Sequence, residues 1–154
     1  MSIAVALPEG LTLRLEHLLL DVNGTLSDRG RLHEGVAERL DRLRGLVHVQ
    51  LVSADTFGTL DDIARSLGVG ARRVSDGGKK RELVARLGAD RCAVIGNGAN
   101  DMLALQAAAL GIAVLGREGL SVLALRSADV FCASITDALD LLLDVEALIA
   151  TLRK

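Results

Sequence analysis

The chain has 154 residues, is 50% hydrophobic and 25% charged, and carries a formal net charge of -2. That is long enough for a sizeable core, too apolar for a disordered chain and not basic enough for a protein that wraps nucleic acid. Phe57 and Phe131 are the only aromatic residues, so the core must be built from Leu, Val, Ile and Ala, and base stacking has almost no material.

In chain order, "IAVAL" and "LTLRL" within residues 1–16 read as extra strand material. The main pattern then opens with "HLLLD" (17–21), and the apolar runs continue with "VHVQLVS" (47–53), "ARRV" (71–74), "CAVIG" (92–96), "GIAVL" (111–115) and "ADVFC" (128–132). Continuous apolar strands are those buried on both faces, as in a parallel sheet covered by helices. Between them, Val36, Leu40 and Leu43 share a helical face, as do Leu60, Ile63 and Leu67, and again Leu83, Val84 and Leu87. Helical stretches are expected to stop at Leu67-Gly68, Leu87-Gly88 and Leu110-Gly111, where glycine supplies a left-handed cap. The C-terminal "DALDLLLDVEALIATLRK" reads as one or two amphipathic helices. Repeated βαβα units predict an α/β fold with a doubly wound, mostly parallel sheet, in a single domain over 1–154. No Gly/Ser/Pro-rich linker interrupts it.

Cys92 and Cys132 lie in apolar runs without metal spacing, which predicts two buried, reduced thiols. No apolar run reaches membrane length and no basic-then-apolar signal starts the chain, so no membrane partner and a cytoplasmic location are expected.

In a doubly wound sheet ligands bind outside the carboxyl ends of the strands. The first main strand ends at Asp21, the second at Ser53 before Ala54 and Asp55, and the fourth at "GNGAND" (96–101). A helix beginning near Gly78 carries Lys79 and Lys80 in its first turn, where the helix dipole disfavours a cation unless an anion is bound. Acids, a hydroxyl, a lysine and glycine turns in one crevice are what a phosphoryl group and a divalent metal require. "GNGAND" lacks the third glycine of a dinucleotide fingerprint, and "DGGKK" lacks the spacing of a P-loop. Arg72, Arg73, Lys79, Lys80 and Arg81 form a basic patch that a solvated face plus one phosphate ligand explains, without nucleic acid. His17, His33 and His48 have no ligand spacing.

"LLLDVNGTL" resembles the first motif of the haloacid dehalogenase superfamily, an apolar strand followed by Asp-x-Asp-Gly-Thr. "QLVSAD" is similar to its second motif, Lys80 in "KKRELVARLG" to its third, and "VIGNGANDMLAL" to its fourth, Gly-Asp-Gly-x-Asn-Asp. The set occurs in family order across nearly the whole chain, and Ser53-Ala54-Asp55 looks most like the phosphorylation domain of P-type cation pumps. The resemblance implies a Rossmann-like core with minimal or no cap and a Mg²⁺-dependent hydrolase that forms an aspartyl-phosphate. Its partner would be a small phosphoester, acyl phosphate or phosphoanhydride. Asp21 would be nucleophile and metal ligand; Ser53, Ala54, Lys80 and Asn100 would hold the phosphoryl group; Lys80 would also orient Asp21. The carbonyl of Asn23, Asn97 and Asp101 would complete the metal site.

Asn23 stands where most phosphatases of the superfamily carry the acid/base Asp, and Asn97 where they carry a metal-ligating Asp. Asn23 cannot exchange a proton near neutral pH. The two amides predict weak metal binding and slow turnover. The alternatives are a non-catalytic phosphate- or metal-binding regulatory module of the same fold and a pump-related accessory protein. The short connection "SDRGRLHEG" leaves room only for a small hairpin flap, and so open a site suits a large substrate or cover from a homo-oligomer.

Overall fold

Leu18, Leu19 and Leu20 run through the centre of a six-stranded sheet and face alternate sides of it. The computed structural model describes residues 1–55 and 58–154; Phe57 lies outside the described residues. The elements are β1 (Ile3–Ala6), β2 (Thr12–Leu15), β3 (His17–Asp21), β4 (Ser27–Asp28), β5 (Arg31–Leu32), α1 (Val36–Leu43), β6 (His48–Ser53), α2 (Thr59–Leu67), β7 (Gly70–Arg73) and α3 (Gly77–Leu87). They continue with β8 (Cys92–Gly96), α4 (Met102–Ala107), β9 (Leu110–Val114), α5 (Val122–Ser127), β10 (Val130–Cys132), α6 (Ile135–Leu143) and α7 (Val145–Leu152).

The main sheet has the order β10-β9-β8-β3-β6-β7, and every pair in it is parallel. Leu20 pairs with Leu51 on one side and Ile95 on the other. Leu18, Leu20, Leu51 and Ile95 pack with α1, α2, α6 and α7, whereas Leu19, Val52 and Val94 pack with α3, α4 and α5. A one-residue slip of β3 would exchange the two sets. The chain winds outward from β3 in both directions, so the strand order reverses between β3 and β8. That switch point opens a crevice at the carboxyl ends of the strands.

The N-terminal strand material forms a separate antiparallel hairpin of β1 and β2, and the flap is the two-stranded pair β4–β5. Gly68 adopts the expected left-handed cap, and two C-terminal helices meet at Asp144. Cys92 and Cys132 are buried and free, and burial pushes the Cys92 thiol up to about 11. His17 and His48 stack with ring centroids 5.5 Å apart at the strand ends opposite the crevice.

One expected helix end does not exist. Leu110-Gly111 lies inside β9, because α4 stops at Ala107 and the chain is already extended at Ala108. Leu110 is fully buried and pairs with Ala93. At Gly111 a Cβ would come within 2.5 Å of the Leu105 carbonyl oxygen, so the glycine lets β9 pass the end of α4 and caps nothing.

Candidate active site

Asp21 ends β3 at the switch point with its side chain 11% exposed. Its Oδ1 accepts from Lys80 Nζ at 3.0 Å, and its Oδ2 from Thr25 Oγ1 at 3.1 Å. Lys80, in the first turn of α3, is 5% exposed and also donates to Asp101 Oδ1 at 2.7 Å. Burial alone would lower the Lys80 ammonium, but Asp21 and Asp101 outweigh it and hold the group above the ordinary lysine range. Burial, followed by repulsion from Asp101, pushes Asp21 up to about 6 against the pull of Lys80 and Thr25.

Asp101 closes the arrangement from behind. Its Oδ2 accepts from the backbone N–H groups of Asn97 at 3.1 Å and Gly98 at 3.0 Å, which fixes the turn after β8. Both of its oxygens are thus engaged, one by Lys80 and one by backbone. Asp21–Lys80–Asp101 is a buried triad of two carboxylates about one ammonium, so loss of Lys80 would leave two buried acids without a counter-charge.

A cleft of about 760 Å³ opens above Asp21. Asn23, Ser53, Ala54, Asn97 and Asn100 line it, so most of the residues expected from strand ends do converge. Ser53 is 3% exposed, and its hydroxyl accepts the Asp55 N–H at 3.1 Å. Lys80 and Asp101 do not line the cleft. Lys80 reaches Asp21 from the apolar side, beside Leu19, Val52 and Val94. Asp55 lines the cleft, while its Oδ2 accepts the Leu60 N–H at 3.0 Å at the start of α2.

Glu118 also lines the cleft, and strand-end reasoning at the first, second and fourth strands missed it. It lies in the loop between β9 and α5. A Cβ on Gly24 would collide with the Glu118 carboxylate and would stand 3.0 Å from Asn97 Nδ2, so the loop is seated on the turn that follows Asp21. Gly24 has φ 78°, which an L side chain rarely adopts. The loop is tied down by Asn97 Nδ2 donating to the Gly119 carbonyl at 3.3 Å, by the Ser121 N–H donating to the Asn97 carbonyl at 2.9 Å, and by Arg117 pairing with Asp28 of the flap at 3.1 Å. The available signal was "GREG" at the end of the fifth apolar run, another strand end on the same edge.

Thr25 supplies a test for a cation. Its hydroxyl, in a residue 2% exposed, lies 3.1 Å from Asp21 Oδ2 and 3.1 Å from Asn97 Oδ1. One proton cannot serve both acceptors, so one oxygen is short of a partner at any moment. A hard dication beside them would complete both, and the donor set of one carboxylate and neutral oxygens suits Mg²⁺ that keeps several waters. Among the described residues no group of three or more His, Cys, Asp and Glu side chains is placed to hold a metal ion, so Mg²⁺ here would depend on amide and carbonyl oxygens.

Residues 5–109 match the model of the haloacid dehalogenase-like hydrolases. Over 59 residues the chain is 51% identical to an uncharacterized protein of Methanocaldococcus jannaschii, covering 38% of this chain and 63% of that protein. The fold is similar to that of 3-deoxy-D-manno-octulosonate 8-phosphate phosphatase from Moraxella catarrhalis, solved with magnesium, phosphate and KDO: TM-score 0.66, 20% identity, 89% of this chain and 92% of that one. It is also similar to a zinc-transporting PIB-type ATPase in its E2.Pi state, with TM-score 0.66 and 27% identity over 79% of this chain but 20% of the ATPase. With its sheet, its switch-point aspartate and a family match across most of its length, the chain belongs to the haloacid dehalogenase-like hydrolase family.

Proposed function

We propose that the protein is a Mg²⁺-dependent phosphohydrolase that works through an aspartyl-phosphate on Asp21, acting on a small phosphorylated substrate. The observation that carries the reading is the seating of Asp21: a carboxylate at the switch point, facing a cleft and bonded by Lys80 and Thr25. An Asp21 oxygen forms the bond to phosphorus while the leaving oxygen departs with the electron pair of the broken bond. Water then attacks the acyl phosphate and frees Asp21.

Ser53 and the backbone at Ala54 bind phosphoryl oxygens, with Asn100 across the cleft. Lys80 holds Asp21 in place and offsets its charge from behind. Asp21, the Asn23 carbonyl and Asn97 would hold Mg²⁺, and Asp101 would reach it through water, since its own oxygens are engaged. Bound there, the ion would neutralise charge on the phosphoryl oxygens. Glu118, which lines the cleft and lies over the Gly24 turn, would take the proton from attacking water, because Asn23 cannot.

The reading is tested with p-nitrophenyl phosphate and Mg²⁺. Asp21→Asn is expected to abolish turnover while the protein stays folded by circular dichroism. Activity that survives the substitution removes Asp21 as nucleophile. A folded wild type that binds orthophosphate but turns over no aryl or acyl phosphate supports the second reading, a binding module, for which the amides at Asn23 and Asn97 are the observation.

A further inference from the structure

The basic patch of the sequence is divided by the fold. Lys80 turns inward to Asp21, whereas Arg73 and Lys79 turn toward a second hollow of about 640 Å³ lined also by Ala54, Val74, Ser75 and Arg86. Ala54 stands in the wall of both this hollow and the cleft, so the two adjoin across the segment that follows β6. The hollow's lining holds three cationic side chains and no acid. They come from three places: the end of β7, the first turn of α3 and its last turn.

The acidic partners of Arg73 and Lys79 hold them weakly. Arg73 meets Asp61, and Lys79 meets Glu82, each at 3.5 Å with all four side chains 47% exposed or more. Exposed pairs of this kind are worth about 0–1 kcal/mol. Among the described residues Arg86 makes no hydrogen bond or ion pair. Asp76, next to the hollow, turns its Oδ1 to the Lys79 N–H at 2.9 Å, as a helix cap. Cations grouped without acids raise the local concentration of anions, and an anion here would also offset the dipole cost of Lys79 in the first turn.

We infer that the substrate carries a second anionic group, phosphate or carboxylate, and that the Arg73–Lys79–Arg86 hollow binds it while the scissile phosphoryl group sits over Asp21. The inference rests on the proposed phosphohydrolase reading for the cleft. Where that group is a phosphate joined to the scissile phosphoryl group as an anhydride, its oxygen departs without a proton from position 23.

Two arms test it. In the kinetic arm, p-nitrophenyl phosphate is compared with carboxyphenyl phosphate and inorganic pyrophosphate, in wild type and in the double variant Lys79→Gln/Arg86→Gln. Arg73 is left intact because its Nε also holds the Asp55 carbonyl at 2.5 Å. The doubly anionic substrates should show a KM about tenfold lower than the control substrate, and the variant should lose that preference while the control changes less than twofold. Pyrophosphate alone responding would assign a phosphate pocket; carboxyphenyl phosphate alone, a carboxylate pocket. Equal KM values in wild type and variant, for every doubly anionic substrate, overturn the inference. In the binding arm, orthophosphate and pyrophosphate are titrated calorimetrically into Asp21→Asn with excess Mg²⁺. Pyrophosphate should bind more tightly than orthophosphate only while Lys79 and Arg86 are present. If no substrate is turned over, the phosphohydrolase reading fails on the first arm, and this arm still decides the hollow: affinity for pyrophosphate that ignores both substitutions overturns it.

Discussion

Thr25 has one hydroxyl proton and two oxygens within 3.1 Å that could take it, those of Asp21 and Asn97. This shared proton makes the charge of the site measurable. Replacing Asn97 by Asp puts a second carboxylate beside Asp21 and restores a charged oxygen to the cation. We expect Asn97→Asp to tighten Mg²⁺ binding by about tenfold, roughly what one added charged ligand supplies at a partly exposed site. Calorimetric titration, or the Mg²⁺ concentration that half-raises the melting temperature, reads it, and an unchanged midpoint shows that Asn97 does not face the ion. Asn23→Asp tests the leaving group. General acid catalysis is typically worth ~10²–10⁴-fold, so the substitution should speed hydrolysis of an alkyl phosphate far more than of an aryl phosphate. Equal gains on both esters contradict an acid role for that position. Asp21, Ser53, Asn97 and Asn100 were legible as cleft-lining residues because each lies in a strand end or turn that also resembles a family motif. Glu118 was not: it follows a fifth strand in a loop that acquires its place only when Gly24 and Asn97 come up against it. Nothing local in "GREG" distinguishes such a loop from an ordinary turn.

At the scale of elements the apolar runs were readable because strands buried on both faces leave no polar positions to blur them. "HLLLD" and "CAVIG" are β3 and β8 residue for residue. Errors collect where a short helix meets a strand without a polar break. Between Ala104 and Val114 the chain is apolar but for Gln106 and Gly111, and the break at Ala108 is imposed by tertiary packing: the Ala109 N–H donates to the Ala89 carbonyl at 2.8 Å. Packing also ranks substitutions. Leu20, fully buried between Leu51 and Ile95, should cost about 2–5 kcal/mol on truncation to Ala. Phe131, half exposed on the edge strand β10, should cost less than 1 kcal/mol on replacement by Ser. Urea denaturation of the two variants checks the order; a larger loss at Phe131 would mean that its ring is covered in solution.

Across the whole molecule the question is what completes the reaction. Asp21 and Lys80 come from distant stretches brought together by the switch point, and in the proposed reaction Asp21, with Mg²⁺ bound, forms the aspartyl-phosphate. Breaking it needs a base for water. Asn23 cannot serve, Lys80 is held charged behind Asp21, and Asp101 has both oxygens engaged. The remaining carboxylate over Gly24 is Glu118, carried in by a loop fastened to Asn97 and to the flap. It is exposed, so its ordering by that loop is less than a buried base would enjoy. Dephosphorylation should then be the slower half of the cycle. An aryl phosphate should give a burst of phenol approaching one equivalent per site, followed by a slow steady state. Acid-quenched protein should carry one phosphoryl group on the peptide containing Asp21. In Glu118→Gln the burst should keep its amplitude while the steady rate falls by about 10²-fold, the lower end of what a general base supplies. Arg117→Ala, which frees the loop from Asp28 without touching the cleft, should lower the steady rate in the same direction by a smaller factor. A linear time course with no phosphorylated peptide, in protein that turns over, would place the slow step before the intermediate. A burst whose decay ignores Glu118 would pass the role of base to Asp55, the other carboxylate in the cleft wall.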